Sequence, residues 1–236
     1  MLEQIPIGNI LFLDIETVPQ MASYDLLPEK TRLLWDHKTE FLRKVETDTP
    51  DVLYERAGIY AEFGKIVCIS VGFVKNDEIR LKSFAGDDET ALLSEFANLL
   101  DTYYDTKNHF LCAHNGKEFD YPYIARRLLI NGLKIPAMLD LAGKKPWDIP
   151  HLDTMELWKF GDFKNYTSLA LLAHVFDIPT PKDDIDGSDV GRVYWKEKDL
   201  DRIVTYCQKD VVSIIQLFRK YQGKELISDE SVHLIA

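Results

Sequence analysis

The amino-acid sequence predicts an α/β fold: a mixed sheet covered by helices on both faces, in one domain. Three observations carry that prediction. Apolar runs of strand length, "ILFLDI" from residue 10 and "HFLCAHN" from residue 109, recur between longer segments of helical periodicity. A stretch rich in Val, Ile and Phe, residues 65–86, breaks only at Asn76-Asp77, the mark of a β-hairpin, so part of the sheet is antiparallel. The chain has 236 residues, 46% hydrophobic and 28% charged, enough for one sizeable core.

In chain order, residues 10–15 read as a buried strand. Residues 28–45 read as an amphipathic helix opened by Pro28, with Leu33, Leu34, Phe41, Leu42 and Val45 as its apolar stripe. A second helix is expected over 48–63, between Pro50 and Gly64. Residues 20–63 thus form a helical excursion, because the hairpin that follows must rejoin the first strand. Residues 87–104 open with acids that suit a helix N-terminus. Residues 109–115 make another strand, and 119–132 a helix with Pro122 in its first turn and Gly132 at its stop. A looser Gly- and Pro-bearing segment, 133–150, leads to a short strand running into a helix at 154–160. A helix at 167–178 and a long one at 199–221 close the chain; Ile203, Cys207, Val211, Ile214 and Phe218 stripe the last.

Composition bounds the function. No apolar stretch is long enough to cross a bilayer, and the N-terminus lacks the basic and apolar regions of a secretion signal. Cys68, Cys112 and Cys207 form no C-x-x-C pair and sit in apolar stretches, so reduced, buried thiols and a cytoplasmic location are expected. The formal net charge of −11 is unfavourable for phosphate binding. Either the partner is not nucleic acid, or the negative charge is local and offset by bound metal.

Three acidic motifs stand out. Asp14 and Glu16 lie on one side of an extended chain, at the end of its most apolar strand. A bare D-x-E is weak, since 39 acids in the chain yield about one or two such triplets by chance; its position at a strand's carboxyl end is what matters. Asp120 falls at a strand-to-helix turn, where a helix cap is the competing reading. Tyr206 and Asp210, four apart on the last helix, share one face. Carboxylates gathered from these segments would suit a hard cation such as Mg²⁺ or Mn²⁺, which takes oxygen ligands. Two such ions about 3.5–4 Å apart can activate a water and steady a leaving alkoxide.

These motifs resemble the DEDD 3′–5′ exonucleases, and within them the Tyr-bearing subgroup, most nearly the proofreading exonuclease domain of B-family DNA polymerases. "FLDIET" matches the first motif. "HNGKEFDYPYIARR" matches the second through Asn115, Phe119, Asp120, Pro122, Tyr123 and Arg127. "YCQKD" matches the third, and Thr205 stands where the His-bearing subgroup has its histidine. The likeness extends over most of the chain except 20–63, as a free-standing domain. It implies a ribonuclease-H-like mixed sheet of about five strands. It also implies a two-metal site: Asp14, Glu16 and Asp210 on the ion that holds the attacking water, Asp14 bridging to the second ion, and Asp120 helping to hold that one. Tyr206 would position the water, since a phenol near pKa 10 is a poor base. Asn115 and Tyr123 would orient the 3′-terminal nucleotide. Phe119 is either a stacking face or a core contact.

The expected substrate is a nucleic acid with a single-stranded 3′ end, DNA before RNA, released as 5′-nucleoside monophosphates. An RNA exonuclease, or an idle binding or scaffold module, are the competing readings. Lys117, Arg126, Arg127, Lys144, Lys145, Lys159 and Lys164 make 115–165 the candidate path for a phosphate backbone, with scattered solvated lysines as the alternative. Asp153 reads first as a helix cap. The four tryptophans read as core.

Overall fold

The computed structural model describes residues 4–162, 166–179 and 185–235. Its elements run β1 (Ile10–Pro19), α1 (Glu29–Glu40), α2 (Pro50–Tyr54), β2 (Gly64–Lys75), β3 (Glu78–Ala85), α3 (Glu89–Tyr103), β4 (Phe110–Ala113), α4 (Asp120–Ile130), β5 (Leu152–Asp153), α5 (Thr154–Lys159), α6 (Leu169–Val175), α7 (Val190–Arg192), α8 (Leu200–Tyr221) and β6 (Val232–Leu234). The sheet order is β5-β4-β1-β2-β3-β6, six strands where about five were expected. β1, β2 and β3 pair antiparallel, while β1–β4, β4–β5 and β3–β6 are parallel.

The hairpin turns where the sequence places it. Asn76 and Asp77 both have positive φ, 55° and 57°, as a tight two-residue hairpin loop requires. β1 is longer than predicted and continues past its two acids to Pro19, with a bulge between Glu16 and Thr17. The extra strand, β6, is a three-residue edge. It follows a return loop fixed by Gln216, whose amide Nε2 donates to the Ile227 carbonyl (2.6 Å) and whose Oε1 accepts from the Ile227 N–H (3.0 Å).

Period-two alternation splits β1 between two cores. Leu11, Leu13 and Ile15 pack with α3 and α4 around Phe96, Tyr121 and Leu128. Ile10 and Phe12 face α8, where Val211, Ile214 and Phe218 of the predicted stripe are fully buried. Asp14 and Glu16 continue that second face, so α8 is the element that meets them. Its close approach depends on Gly72 of β2. A Cβ there would lie 2.8 Å from Val211 Cγ1 and 2.9 Å from Ile215 Cδ1. Gly72→Ala is therefore expected to lower stability by about 1–3 kcal/mol, read as a shifted urea midpoint; an unchanged midpoint would show that α8 has room to spare.

The excursion differs from its prediction. α1 is pinned by Trp35 and Thr39, while Leu33, Leu34, Phe41 and Val45 of the expected stripe lie exposed. Trp35 sits among Tyr54, Tyr60 and Phe63 and donates Nε1–H to the Pro50 carbonyl at 2.8 Å. The expected helix 48–63 stops at Tyr54. A 3₁₀ turn, Ala57–Ile59, follows because Gly58 presses on β1: a Cβ on Gly58 would lie 3.0 Å from the Val18 carbonyl carbon. Among the described residues no helix is long and apolar enough to cross a membrane. All three cysteines are free and buried.

Candidate active site

Along β1, β4 pairs with Ile10–Phe12 alone, and it ends at Ala113. β1 runs on, and its edge beyond Phe12 is open to side chains. Asp120, the first residue of α4, uses that opening: its buried carboxyl stands beside the Ile15 backbone. It does not cap the helix; Phe119 holds the cap position, with no side-chain cap bond. The second-motif acid thereby stands next to the backbone between Asp14 and Glu16.

α8 supplies the opposite wall. One ligand atom each from Asp14, Glu16 and Cys207 lies within 4.8 Å of the others. The Tyr206 hydroxyl lies next to the Asp210 carboxylate, one turn further along. The bulge at Glu16/Thr17 sits beside this cluster, where such irregularities commonly re-aim a side chain.

Electrostatics show how costly the arrangement is without a cation. Burial raises the Asp14 pKa, and the charges of Glu16, Asp210 and Asp120 raise it further. Burial raises that of Glu16, followed by Asp210, Cys68 and Asp120. Burial pushes Asp120 up to about 8. Burial and then Asp210, Glu16 and Asp14 hold the Tyr206 phenol well above its ordinary value. Crowded acids of this kind are stabilised when ionised against a divalent cation, and the oxygen donors here match Mg²⁺ or Mn²⁺.

Cys207 plays a part the sequence did not suggest. Its thiol donates towards Asp14 Oδ2 (3.3 Å) and the Asp14 carbonyl (3.4 Å). Behind it run Cys68 Sγ···Ser70 Oγ (3.6 Å), Ser70 Oγ···Ser83 Oγ (2.8 Å) and Gln208 Nε2–H to Ser83 Oγ (2.9 Å). This polar line sets the register of α8 against β2 and β3. Nothing in the spacing of a cysteine on an apolar stripe marks it; only the packing does.

The turn after β4 is held by Asp153. Its carboxylate caps α5 through Met155 N (3.0 Å) and Glu156 N (3.2 Å), as expected. It also accepts the N–H groups of Asn115 (3.0 Å) and Lys117 (3.1 Å), across the sheet edge. Asn115 adopts φ 66°, and its buried Oδ1 has no hydrogen-bond partner among the described residues. Phe119 is half-buried against Tyr123, with ring centroids 5.3 Å apart.

Several sequence-based roles need correction. Tyr123 is 1% exposed, and its hydroxyl donates to the Gly58 carbonyl at 2.7 Å, so it cannot reach a nucleotide; it fastens the excursion to α4. Arg127 is buried in an ion pair with Glu89 and is withdrawn from any phosphate path. Lys117 pairs with Glu156 at 2.6 Å, and Lys159 sits 4.8 Å over the Tyr166 ring. Arg126, Lys144 and Lys145 remain exposed, and Lys164 lies outside the described residues. Trp147 is exposed rather than core.

A family model described as a predicted 3′–5′ exonuclease related to the exonuclease domain of PolB matches residues 59–231. The matched span holds Asn115, Asp120, Tyr206 and Asp210 and begins after Asp14 and Glu16. Among solved structures, the family B DNA polymerase of the hyperthermophilic archaeon Pyrobaculum calidifontis is similar at TM-score 0.55 and 13% identity. The likeness covers 92% of this chain but 24% of the polymerase, so this chain spans about a quarter of that one's length. At that identity it shows the fold, the ribonuclease-H-like arrangement of mixed strands and flanking helices.

Proposed function

The chain belongs to the family of predicted 3′–5′ exonucleases related to the exonuclease domain of PolB, and from that premise we propose that it removes nucleotides from the 3′ end of single-stranded DNA as 5′-monophosphates. The observation that carries this is the convergence of Asp14, Glu16, Asp120 and Asp210, from three separate segments, with Tyr206 beside them. DNA ranks before RNA because the similar solved structure is a DNA polymerase.

In this reading Asp14, Glu16 and Asp210 would hold one divalent cation, Mg²⁺ or Mn²⁺, and Asp14 with Asp120 would hold a second. Such ions lower the pKa of a bound water and offset the charge that builds on phosphate oxygens. The protein's own groups do the positioning. Glu16 and Tyr206 aim the water at phosphorus. Tyr206 keeps its proton, because burial and three carboxylates oppose a phenolate. Cys207 steadies the Asp14 carboxylate through its thiol. Water adds to phosphorus, the bond to O3′ breaks, and the shortened strand leaves with a 3′-hydroxyl.

Oligonucleotides labelled at either end, as DNA and as RNA, test this with Mg²⁺ or Mn²⁺ present. Single labelled nucleotides released from the 3′-labelled strand alone, faster from DNA, are expected. A wild type that cleaves no better than Asp14→Asn would sink the proposal. Tyr206→Phe is expected to lower kcat about 10–100-fold, the usual cost of losing a supporting hydrogen bond at a metal site. The shape of the kcat–pH profile should not change; loss of an ionisation from that profile would mean that Tyr206 acts as a base.

A further inference from the structure

We infer that Cys207, Asp14 and Glu16 form a site for a thiophilic divalent cation, Zn²⁺ or Cd²⁺, which overlaps the proposed Mg²⁺ or Mn²⁺ centre and excludes it. The site stands on its own geometry; its consequence, a nuclease switched off by zinc, rests on the exonuclease reading.

A centre for hard cations needs oxygen donors alone. Here sulfur stands among them. One ligand atom each from Asp14, Glu16 and Cys207 lies within 4.8 Å of the others, and Cys207 Sγ is 3.3 Å from Asp14 Oδ2. On one tetrahedral zinc, with Zn–S about 2.3 Å and Zn–O about 2.0–2.2 Å, two such donors stand roughly 3.5 Å apart. The thiol and the carboxylate oxygen thus already have close to the spacing that one ion requires. Thiolate with carboxylate is a zinc or cadmium donor set, from which magnesium gains nothing.

Glu16 supplies the third donor. It is 7% exposed, and among the described residues its carboxylate has no hydrogen bond or ion pair. An acid so buried needs an opposite charge, and its neighbours Asp210, Cys68 and Asp120 offer none. The sulfur is held in place, because Gln208, the next residue of α8, donates Nε2–H to Ser83 Oγ at 2.9 Å. Asp14 is half-buried, which leaves the cluster a way in from solvent.

As the ion binds, the Cys207 S–H bond breaks and a sulfur–metal bond forms. The proton, which the thiol now directs at Asp14, leaves to solvent, and no electrons change hands. An ion so placed takes Asp14 and Glu16 away from the hard cation that the proposed hydrolysis needs. Its bond to sulfur is one that Mg²⁺ cannot match.

The test titrates Cd²⁺ into the metal-free full chain and follows the thiolate charge-transfer absorption in the ultraviolet. One Cd²⁺ per chain is expected, with the band present in wild type, Cys68→Ser and Cys112→Ser and absent in Cys207→Ser. Cys207→Ser and Asp14→Asn should each weaken Cd²⁺ binding about 10–100-fold, and thermal melts check that each variant is folded. Zn²⁺ is then added to nuclease assays with Mg²⁺ in excess. Stoichiometric Zn²⁺ should stop the wild type, and Cys207→Ser, measured against its own Mg²⁺ rate, should need about 10–100-fold more. No band in wild type, or a band that persists in Cys207→Ser, would overturn the inference and leave the exonuclease reading intact. So would equal zinc inhibition of wild type and Cys207→Ser, which would put Zn²⁺ on the carboxylates alone. Asp14→Asn keeps the thiol, so an unchanged Cd²⁺ affinity there overturns the inference even if Cys207→Ser does not fold. A wild type with the Cys207-dependent band that cuts no DNA upholds the site and removes the exonuclease reading instead.

Discussion

Asp14→Asn is expected to abolish nuclease turnover and, without divalent cations, to melt at a higher temperature than the wild type at pH 8. The loss follows from the loss of an anionic ligand shared by both proposed ions; several kcal/mol of charge stabilisation corresponds to about 10³-fold or more in rate. The gain in melting temperature follows from the same crowding. Asp14 is half-buried, loss of water raises its pKa, and Glu16, Asp210 and Asp120 all oppose its charge. An amide of equal size keeps the packing and removes that repulsion.

The pH dependence has a definite sign. In the folded, metal-free protein the Asp120 carboxyl holds its proton up to about pH 8, whereas in the unfolded chain it titrates near 4. Asp14 and Glu16 are raised in the same sense. Between these limits the folded state binds more protons than the unfolded state, so stability falls as pH rises. Metal-free wild type should therefore melt higher at pH 5.5 than at pH 8. Mg²⁺ or Mn²⁺ should restore the loss at pH 8, and Asp14→Asn should show a weaker slope and less recovery. Scanning calorimetry with and without chelator decides it, and a metal-free melting temperature that rises from pH 5.5 to 8 would contradict the proposed clustering.

Arg127→Met is expected to destabilise the protein by about 3–5 kcal/mol, as breaking one side of a buried ion pair does. Arg127 Nε–H donates to Glu89 Oε1 at 2.8 Å, Nη2 to Glu89 Oε2, and Nη1 to the Ala61 carbonyl at 2.8 Å. Glu89 in turn accepts the Ile66 N–H at 2.7 Å and the Asn131 side-chain amide at 3.1 Å. One ion pair thus joins α3, α4, β2 and the excursion. Urea titration should show the loss, and Arg127→Met/Glu89→Leu should recover part of it by removing the stranded charge. A variant with unchanged stability and a raised KM would instead return Arg127 to the phosphate path that its motif position suggests.

The sequence was most legible where local rules suffice. Asn76-Asp77 could only be a turn between two β-rich runs, and the α8 stripe could only be a core-facing helix. The D-x-E, F-D and Y-x-x-x-D motifs picked out the acids that the fold gathers. It was least legible where a residue's role depends on what stands opposite. Tyr123 and Arg127 carry a substrate motif's spacing, yet one fastens Gly58 and the other neutralises Glu89. Leu33 and Phe41 have core periodicity, but Trp35 was already sufficient to anchor their helix. β6 is too short to announce itself and exists because β3 offers an unpaired edge.

By itself, then, the sequence determined the alternation of strands and helices and the chemical identity of the acidic site, because periodicity and motif spacing are local properties of the chain. Tertiary structure alone decided that β4 stops short and leaves room for Asp120 beside Ile15, that Cys207 supports Asp14, and which face of α1 meets water. Each of these depends on residues far apart in sequence, and spacing along the chain holds no record of the distance between them in space.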